Sequence, residues 1–507
     1  MKKGFLGFIF SFKMVIILLL VIQIFVLLIG FLWLGENSKY FFGSFTLLSL
    51  SLVIYIFNKP GNPAFKMSWM VMILALPVVG GFLYLFIQND FVSKGLKRRL
   101  NQILYDTNGH FKKNNDVLDL LKKDDMNVYN LAKYVSNTRN YPIYQGSEAT
   151  YFSLGEYKFA EMKKRLEQAS KFIFMEYFII DNGIMWDTIL EILKRKASEG
   201  VEVRIMYDGM CSIALLPYNY PKTLALSKIK AKMFAPIIPA LSTHQNNRDH
   251  RKILVIDGLY AFTGGVNIAD EYINAKPRFG HFKDSAIMIT GEAVNTFTLM
   301  FLQMWNIKKN GEDYKKYLVS KPLLSSTGFI MPFGEIPLDN DRVAEHIYID
   351  LIYNAKKFVH IMTPYLILTN EMITALITAA KSGVDVCIIM PHIPDKWSAF
   401  VLAKSYYLEL IKGHVKIYEY TPGFVHAKNF VADDKAVVGT INFDYRSLYL
   451  HYECAAFMYK NESVNDLEKD YQQTLNHCEL ITIDKYKKNK LFDRFAGKVL
   501  RLFAPLM

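Results

Sequence analysis

Residues His426–Asn442 read HAKNFVADDKAVVGTIN, and an earlier stretch, His250–Asn267, reads HRKILVIDGLYAFTGGVN and is its near copy. Each carries His-x-Lys, an Asp five residues after the Lys, and a Gly-Gly or Gly-Thr pair ahead of an Asn. Each reads as an apolar strand, a turn and a second strand, with polar groups gathered at the strand ends. Side chains at i and i+2 of an extended chain share a face. His250 therefore points with Lys252, and His426 with Lys428. Burying a cation beside an imidazole is costly without a counter-charge. A phosphate would supply one.

The duplication extends outward from these hairpins. In the first copy a helix over Phe159–Ala169 leads to the strand Phe172–Tyr177, a helix over Trp186–Ser198, and the strands Val201–Tyr207 and Ala231–Phe234. In the second, Phe358–Met362 is followed by a helix over Glu371–Lys381, then Val384–Met390 and Val415–Tyr418. Glycines after helices and β-branched runs mark these elements. The offset between copies is 186 residues at the first strand, 183 at the second and 176 at the histidines, a drift that loop insertions explain. Alternating helices and strands predict an α/β sandwich in each half. A duplicated unit packs on itself with pseudo-twofold symmetry. That packing would gather His250, Lys252, Asn267, His426, Lys428 and Asn442 around one cavity at the interface.

Such a set suits phosphodiester exchange. One neutral imidazole attacks phosphorus and forms a phosphohistidine. The other, protonated, gives its proton to the leaving alkoxide and then takes one from the incoming alcohol. Lys252, Lys428, Asn267 and Asn442 would stabilise charge on the non-bridging oxygens. No carboxylate-rich cluster accompanies them, so neither metal nor other cofactor is expected. The motif aspartates Asp257 and Asp433 belong to the candidate catalytic set, with strand-end support as their preferred role. The second hairpin is one residue shorter beyond its Asp, at the turn Asp433–Asp434–Lys435, and spacing from Lys428 selects Asp433.

Composition bounds the partners. The chain has 507 residues, is 51% hydrophobic and carries a net charge of +13, which favours anionic partners. Its four cysteines are scattered, with neither disulfide framework nor zinc spacing. Three apolar runs, 14–34, 41–57 and 69–87, predict membrane-spanning helices within residues 1–88. Counting three spans places five basic residues on either side, so charge bias does not orient them. Two spans would gather Lys94–Arg99 on the cytosolic face. Residues 89–140 read as a solvated linker with short helices, 141–330 as the first α/β domain and 331–507 as the second. The last stretch, Leu491–Met507, puts Leu491, Phe495, Val499 and Leu502 on one helical face, either lying on an anionic membrane or packed on the second domain.

The paired motifs resemble the HxKxxxxD…GxxN signatures of the phospholipase D superfamily. The wider chain resembles that superfamily's bacterial cardiolipin synthases through NPAF…LALPVVGGFLYLF (Asn62–Phe86), YFSLGEYKF (Tyr151–Phe159), FIFMEYFI (Phe172–Ile179), EGVEVRIMYDGM (Glu199–Met210), RKILVIDG, MTPYLI (Met362–Ile367) and NFDYRSLYLHYE (Asn442–Glu453). The resemblance implies two tandem phospholipase D-like domains that condense two phosphatidylglycerols into cardiolipin and glycerol, without metal, at the bacterial cell membrane. It implies His250 as nucleophile, His426 as acid/base, and Asp284 and Glu453 as the carboxylates bonded to the two histidines. It further implies anionic membrane lipids as partners and catalytic domains on the cytosolic side, and leaves self-association open. Hydrolysis to phosphatidic acid uses the same residues and is the alternative. A nuclease is disfavoured by the apolar N-terminus, so no nucleic acid is expected. His244 is a weaker candidate for the entrance. His360, His392, His414 and His451 read as structural or exposed. Arg446 and Ser447 read as phosphate cradle or helix cap, and Glu176 and Tyr177 as core.

Overall fold

The computed structural model describes residues 21, 24, 25, 28, 32 and 38–506, except 89–90, 113, 212–214, 237–246, 308–311, 320–327 and 339–340. Most of the apolar run 14–34, and His244, lie outside the described residues. The chain divides into one unit of residues 1–95, 237–246 and 498–507, and another of 96–236 and 247–497.

In the first unit a helix spans Ser38–Asn58, and two shorter ones span Pro63–Ala75 and Pro77–Gln88. Asn62 caps the second helix by accepting from Ala64 N at 2.8 Å, with Pro63 in the first turn. The run 69–87, expected as one span, is broken. Pro77 cannot donate to Ile73 and forces Leu76 out of helical geometry (φ −132°, ψ 74°). The chain then doubles back, and Trp69 meets Tyr84 edge-on at 5.4 Å. Gly80 makes the close turn feasible, since a Cβ there would lie 2.6 Å from Met72 O. Ser68 Oγ donates to Leu502 O at 2.7 Å, tying the C-terminal residues to this hairpin. Among the described residues, no helix is long and apolar enough to cross a membrane.

The second unit is mixed α/β and holds both repeats. Its strands are β1 (Tyr144–Gln145), β2 (Glu148–Phe152), β3 (Phe172–Tyr177), β4 (Glu202–Asp208), β5 (Lys230–Phe234), β6 (Ile253–Ile256), β7 (Tyr260–Gly264), β8 (His281–Lys283) and β9 (Ala286–Thr290). Then come β10 (Phe329–Glu335), β11 (Phe358–Met362), β12 (Asp385–Pro391), β13 (Lys416–Tyr420), β14 (Gly423–Val425), β15 (Asn429–Ala432), β16 (Lys435–Gly439), β17 (Glu453–Tyr459) and β18 (Cys478–Leu480). One sheet runs β2-β9-β7-β6-β3-β4-β5, and the other runs β1-β10-β17-β16-β15-β11-β12-β13-β18. Without β1 and β18 the second order repeats the first strand for strand. In both, three parallel strands (β3-β4-β5, β11-β12-β13) follow an antiparallel hairpin (β6-β7, β15-β16). The helix Val294–Trp305 is buried along almost its whole length. It lies between β3, β6 and β7 on one side and β10 on the other, which explains its all-round apolar sequence.

Two expectations need correction. Residues 89–140 are not a solvated linker. Helices Phe91–Asn108, Asn115–Asp124 and Met126–Arg139 bury Leu100, Ile103, Val117, Leu121, Leu131 and Val135. Asp124 accepts from Tyr459 Oη at 2.8 Å, and Arg139 lies 3.8 Å from the buried Glu335, so the second and third helices pack on the second repeat, while Gln303 Nε2 donates to Thr107 Oγ1 of the first helix at 2.8 Å. Tyr144, expected in the first domain, pairs with Ile330 in the second repeat's sheet.

Candidate active site

Each His-x-Lys sits where extended chain enters its hairpin, just before β6 and β15. A short pairing with the opposite repeat fixes each histidine. Asp249 bridges Tyr452 in parallel, and His250 N donates to Tyr452 O at 2.9 Å. That places His250 beside Glu453. On the other side β14 pairs in parallel with β8, and His426 N donates to Lys283 O at 2.7 Å. That places His426 beside Asp284.

The side chains complete a reciprocal arrangement. His250 Nδ1 lies 2.8 and 3.0 Å from the two carboxylate oxygens of Glu453. His426 Nδ1 lies 2.6 Å from Asp284 Oδ2. A carboxylate only accepts, so each Nδ1 carries the hydrogen and each Nε2 is the free nitrogen. Neither Nε2 has a protein partner among the described residues. Each repeat thus supplies one imidazole and the carboxylate that holds the other.

Supporting contacts differ between the halves. Thr440 Oγ1 donates to Glu453 Oε2 and accepts from Cys454 N at 3.0 Å. The equivalent motif position is Gly265, where a Cβ would lie 2.0 Å from Asp284 Oδ1. Asp284 Oδ1 accepts instead from Ser285 N at 2.7 Å. The longer carboxylate is steadied by a hydroxyl, and the shorter is given room by a glycine.

Both motif lysines are buried. Lys252 Nζ donates to His250 O at 2.6 Å, and Lys428 Nζ donates to His426 O. Lys428 Nζ also lies 3.0 Å from His426 Nδ1, beside it and not bonded, because that hydrogen faces Asp284. Burial lowers Lys428 to about 7 and Lys252 to about 8. Burial first, and then the lysines, push His250 well below its ordinary value and His426 down to about 4. Without an anion both imidazoles are neutral. An anion bound between them would bring the negative charge that favours protonation.

Asn267 Oδ1 accepts from Ile179 N at 3.1 Å, and its Nδ2 donates to Tyr272 Oη at 2.8 Å. Asn442 Oδ1 is buried without a hydrogen-bond partner. The motif aspartates are not brought to the histidines. Asp257 accepts from Ser170 N, Ser170 Oγ, Lys171 N and Phe172 N at 2.7–2.9 Å, holding the start of β3 at the far end of its hairpin. Asp433 does the same for β11, accepting from Lys356, Lys357 and Phe358 N at 2.7–3.2 Å. Both take left-handed backbone (φ 55° and 54°), so Asp433 is Asp257's structural counterpart, whereas Asp434 pairs with Lys435. Glu176 is buried beneath the site and accepts from Arg251 Nε at 2.7 Å. Ser447 N donates to Asp444 Oδ1 at 2.8 Å, the capping arrangement.

His451, read as structural or exposed, is not exposed. It is buried with its ring centroid 5.5 Å from that of His250, and neither nitrogen has a hydrogen-bond partner. Its Nδ1 stands 3.8 Å from Glu453. Only its place two residues before Glu453 could have pointed to it, since i and i+2 share a face in extended chain. His250, His451 and Glu453 bring donor atoms within 4.8 Å of one another, as do His360, Asp385 and Cys387. In the first trio Glu453 already serves His250 and Thr440. In the second His360 Nδ1 is taken by Glu468.

A family model described as "Cardiolipin synthase, PLD-like domain" matches residues 162–305 and 348–475, and one described as "Phospholipase_D-nuclease N-terminal" matches 47–89. A protein of Streptococcus mutans is 47% identical over 457 residues, covering 90% of this chain and 99% of its own. The cardiolipin synthase of Alkalihalophilus pseudofirmus is 34% identical, covering 91% of this chain and 93% of its own. That of Halalkalibacterium halodurans is 33% identical over 471 residues. Among solved structures, the phosphatidylserine synthase of Haemophilus influenzae superposes with a TM-score of 0.55 at 15% identity, over 74% of this chain and 98% of that one. At that identity the likeness speaks for the fold alone.

Proposed function

Because this chain belongs to the cardiolipin synthase family with its PLD-like domain, we propose that its two repeats form one site for exchanging phosphatidyl groups between lipid alcohols. The protein is a phosphatidyltransferase, a cardiolipin synthase. It transfers a phosphatidyl group from one phosphatidylglycerol to another, giving cardiolipin and glycerol. The observation that carries this reading is the reciprocal pair His250–Glu453 and His426–Asp284.

In the proposed sequence His250 Nε2 attacks phosphorus of the first lipid, and the phosphorus–glycerol oxygen bond breaks. His426, protonated at Nε2, gives its proton to the departing glycerol oxygen. The phosphatidyl group now sits on His250. His426 Nε2, neutral again, takes the proton from a hydroxyl of the second phosphatidylglycerol, whose oxygen attacks phosphorus and releases His250. Burial holds both imidazoles below their ordinary value, which keeps an attacking His250 neutral, and Asp284 at 2.6 Å favours the protonated form of His426 once an anion is bound. Glu453 and Asp284 fix each ring's tautomer and stabilise its cationic form. Lys252 and Lys428 hold the phosphate oxygens.

Membrane attachment runs, in this proposal, through the N-terminal helices, with the catalytic repeats on the cytosolic side. The helix Ser38–Asn58 leaves Leu47, Leu48, Ile54 and Phe57 exposed, an apolar surface that lipid would cover. Protease access to Lys94–Arg99 in inverted vesicles tests the orientation. For the activity, labelled phosphatidylglycerol in vesicles should yield cardiolipin with equimolar glycerol. Phosphatidic acid as the sole product would contradict the transferase reading.

A further inference from the structure

The C-terminal helix Leu491–Arg501 is packed on the second repeat and yet keeps its largest apolar side chains outside. Gly497 makes the packing possible, since a Cβ there would lie 2.6 Å from Val401 O in the helix Trp397–Lys412. With that seam fixed, Leu491 stays 78% exposed, and Phe492 and Phe495 68% each. Trp397, 51% exposed, stacks on Phe492 at 6.1 Å with an interplanar angle of 17°, and its Nε1 donates to Asp493 Oδ1 at 3.2 Å. Four large apolar side chains are thus held in water by a defined scaffold. A soluble surface rarely spends so much apolar area in one place unless something covers it.

The surroundings say what covers it. Lys487, Lys488, Lys490, Arg494 and Lys498 lie on or beside this helix, with Asp484 and Asp493 as the nearby acids, so the rim is cationic. Trp with an apolar body and a polar tip suits a headgroup boundary. The chain leaves the catalytic unit after Gly497, and its last ten residues belong with the N-terminal helices. A run of contacts leads from the patch toward the site. Lys396, the neighbour of Trp397, lies over the Tyr365 ring at 5.9 Å, and Tyr365 Oη donates to Asp395 Oδ2 at 2.5 Å. The next residue, Leu366, bridges Phe443, the neighbour of motif residue Asn442.

We propose that Trp397, Leu491, Phe492 and Phe495 form an interfacial docking surface that inserts into an anionic lipid bilayer beside the catalytic site. The occupant is the membrane that carries the substrate, held by aromatic insertion and by the basic rim. Docking there lets a phosphatidylglycerol headgroup reach the buried histidines while its acyl chains stay in the bilayer. The inference rests on the lipid-substrate reading above.

The test uses the full chain in phosphatidylglycerol-containing proteoliposomes, on a Cys478→Ser background because the other three cysteines are buried. An environment-sensitive fluorophore is placed at Phe492→Cys or Phe495→Cys, with Leu226→Cys, 87% exposed, as the reference. Labels at 492 and 495 should shift to the blue and be quenched by doxyl-labelled lipid, while the label at 226 does neither. A blue shift without doxyl quenching would assign the patch to another protein chain, and an unshifted label would leave it in water. Either overturns the proposal. Leu491→Cys repeats the measurement if a phenylalanine variant misfolds. No turnover is needed, so docking can fail while the transferase assay succeeds, and the reverse.

Discussion

The two halves of the site share a plan and differ in how they carry it out. In one, a glutamate from the second repeat holds His250, and a threonine hydroxyl holds the glutamate. In the other, an aspartate from the first repeat holds His426, and a glycine leaves room for it. The longer side chain has one more torsion to fix and is fixed by a side-chain hydroxyl. The shorter is held by its own neighbour's backbone. Asn267 is bonded at both ends of its amide, to Ile179 and Tyr272, whereas Asn442 Oδ1 and both nitrogens of His451 lack hydrogen-bond partners. Buried polar groups without partners are costly. His451, with its ring 5.5 Å from that of His250, puts two such atoms on the His250–Glu453 side. Duplication explains the shared plan, and the proposed division between nucleophile and acid/base would give the halves reason to diverge.

Removing either imidazole tests whether both halves are needed. His250→Ala and His426→Ala should each lower kcat by on the order of 10^5 or more, measured as cardiolipin formed from labelled phosphatidylglycerol. Substantial activity in either variant would break the pairing. Next come the carboxylates. Glu453→Gln and Asp284→Asn keep shape and lose charge, so each should cost about 10^4 in kcat through a misplaced tautomer and an unsupported imidazolium. A large loss at only one would show that only one histidine becomes cationic during turnover.

The glycine–threonine difference gives a smaller effect. Gly265→Ala puts a methyl against Asp284 and should displace it enough to lower kcat about 10^2-fold. Thr440→Ser keeps the hydroxyl on Glu453 and should stay near wild type. Equal losses at both positions would mean that the halves do not differ in how their carboxylates are held. The mildest test is pH. Lys428 and Lys252 are lowered to about 7 and about 8, so their charged forms, proposed above to hold the phosphate, are lost as pH rises through that range. The free enzyme's kcat/KM should therefore fall on the alkaline side between those values, and Lys428→Arg should move the fall to higher pH.

Much of this was legible in the chain because it was written twice. The strand expected at Phe172–Tyr177 is β3, that at Phe358–Met362 is β11, and the other repeat strands fall within one or two residues. Such short β-branched runs have few alternatives once their neighbours are known. The histidine–carboxylate pairs were less accessible. Glu453 lies 203 residues from His250, and Asp284 lies 142 from His426, so only family resemblance, and no local spacing, pointed to them. Periodicity also missed the break at Pro77, because hydropathy is continuous through it while backbone geometry is not. It misread 89–140, where charged residues cover one helical face and Leu121 and Val135 are buried on the other. His451 reads as structural or exposed because a lone histidine carries no pattern, and its proximity to His250 arises only when the repeats meet.

The central claim is that one imidazole carries the phosphatidyl group between two lipids. Rapid quenching of the enzyme turning over labelled phosphatidylglycerol, followed by mapping of the labelled peptide, tests it directly. A phosphatidyl adduct should form on His250 and be consumed when fresh phosphatidylglycerol is added. An adduct on His426, or cardiolipin formed at full rate with no adduct on either histidine, would contradict it.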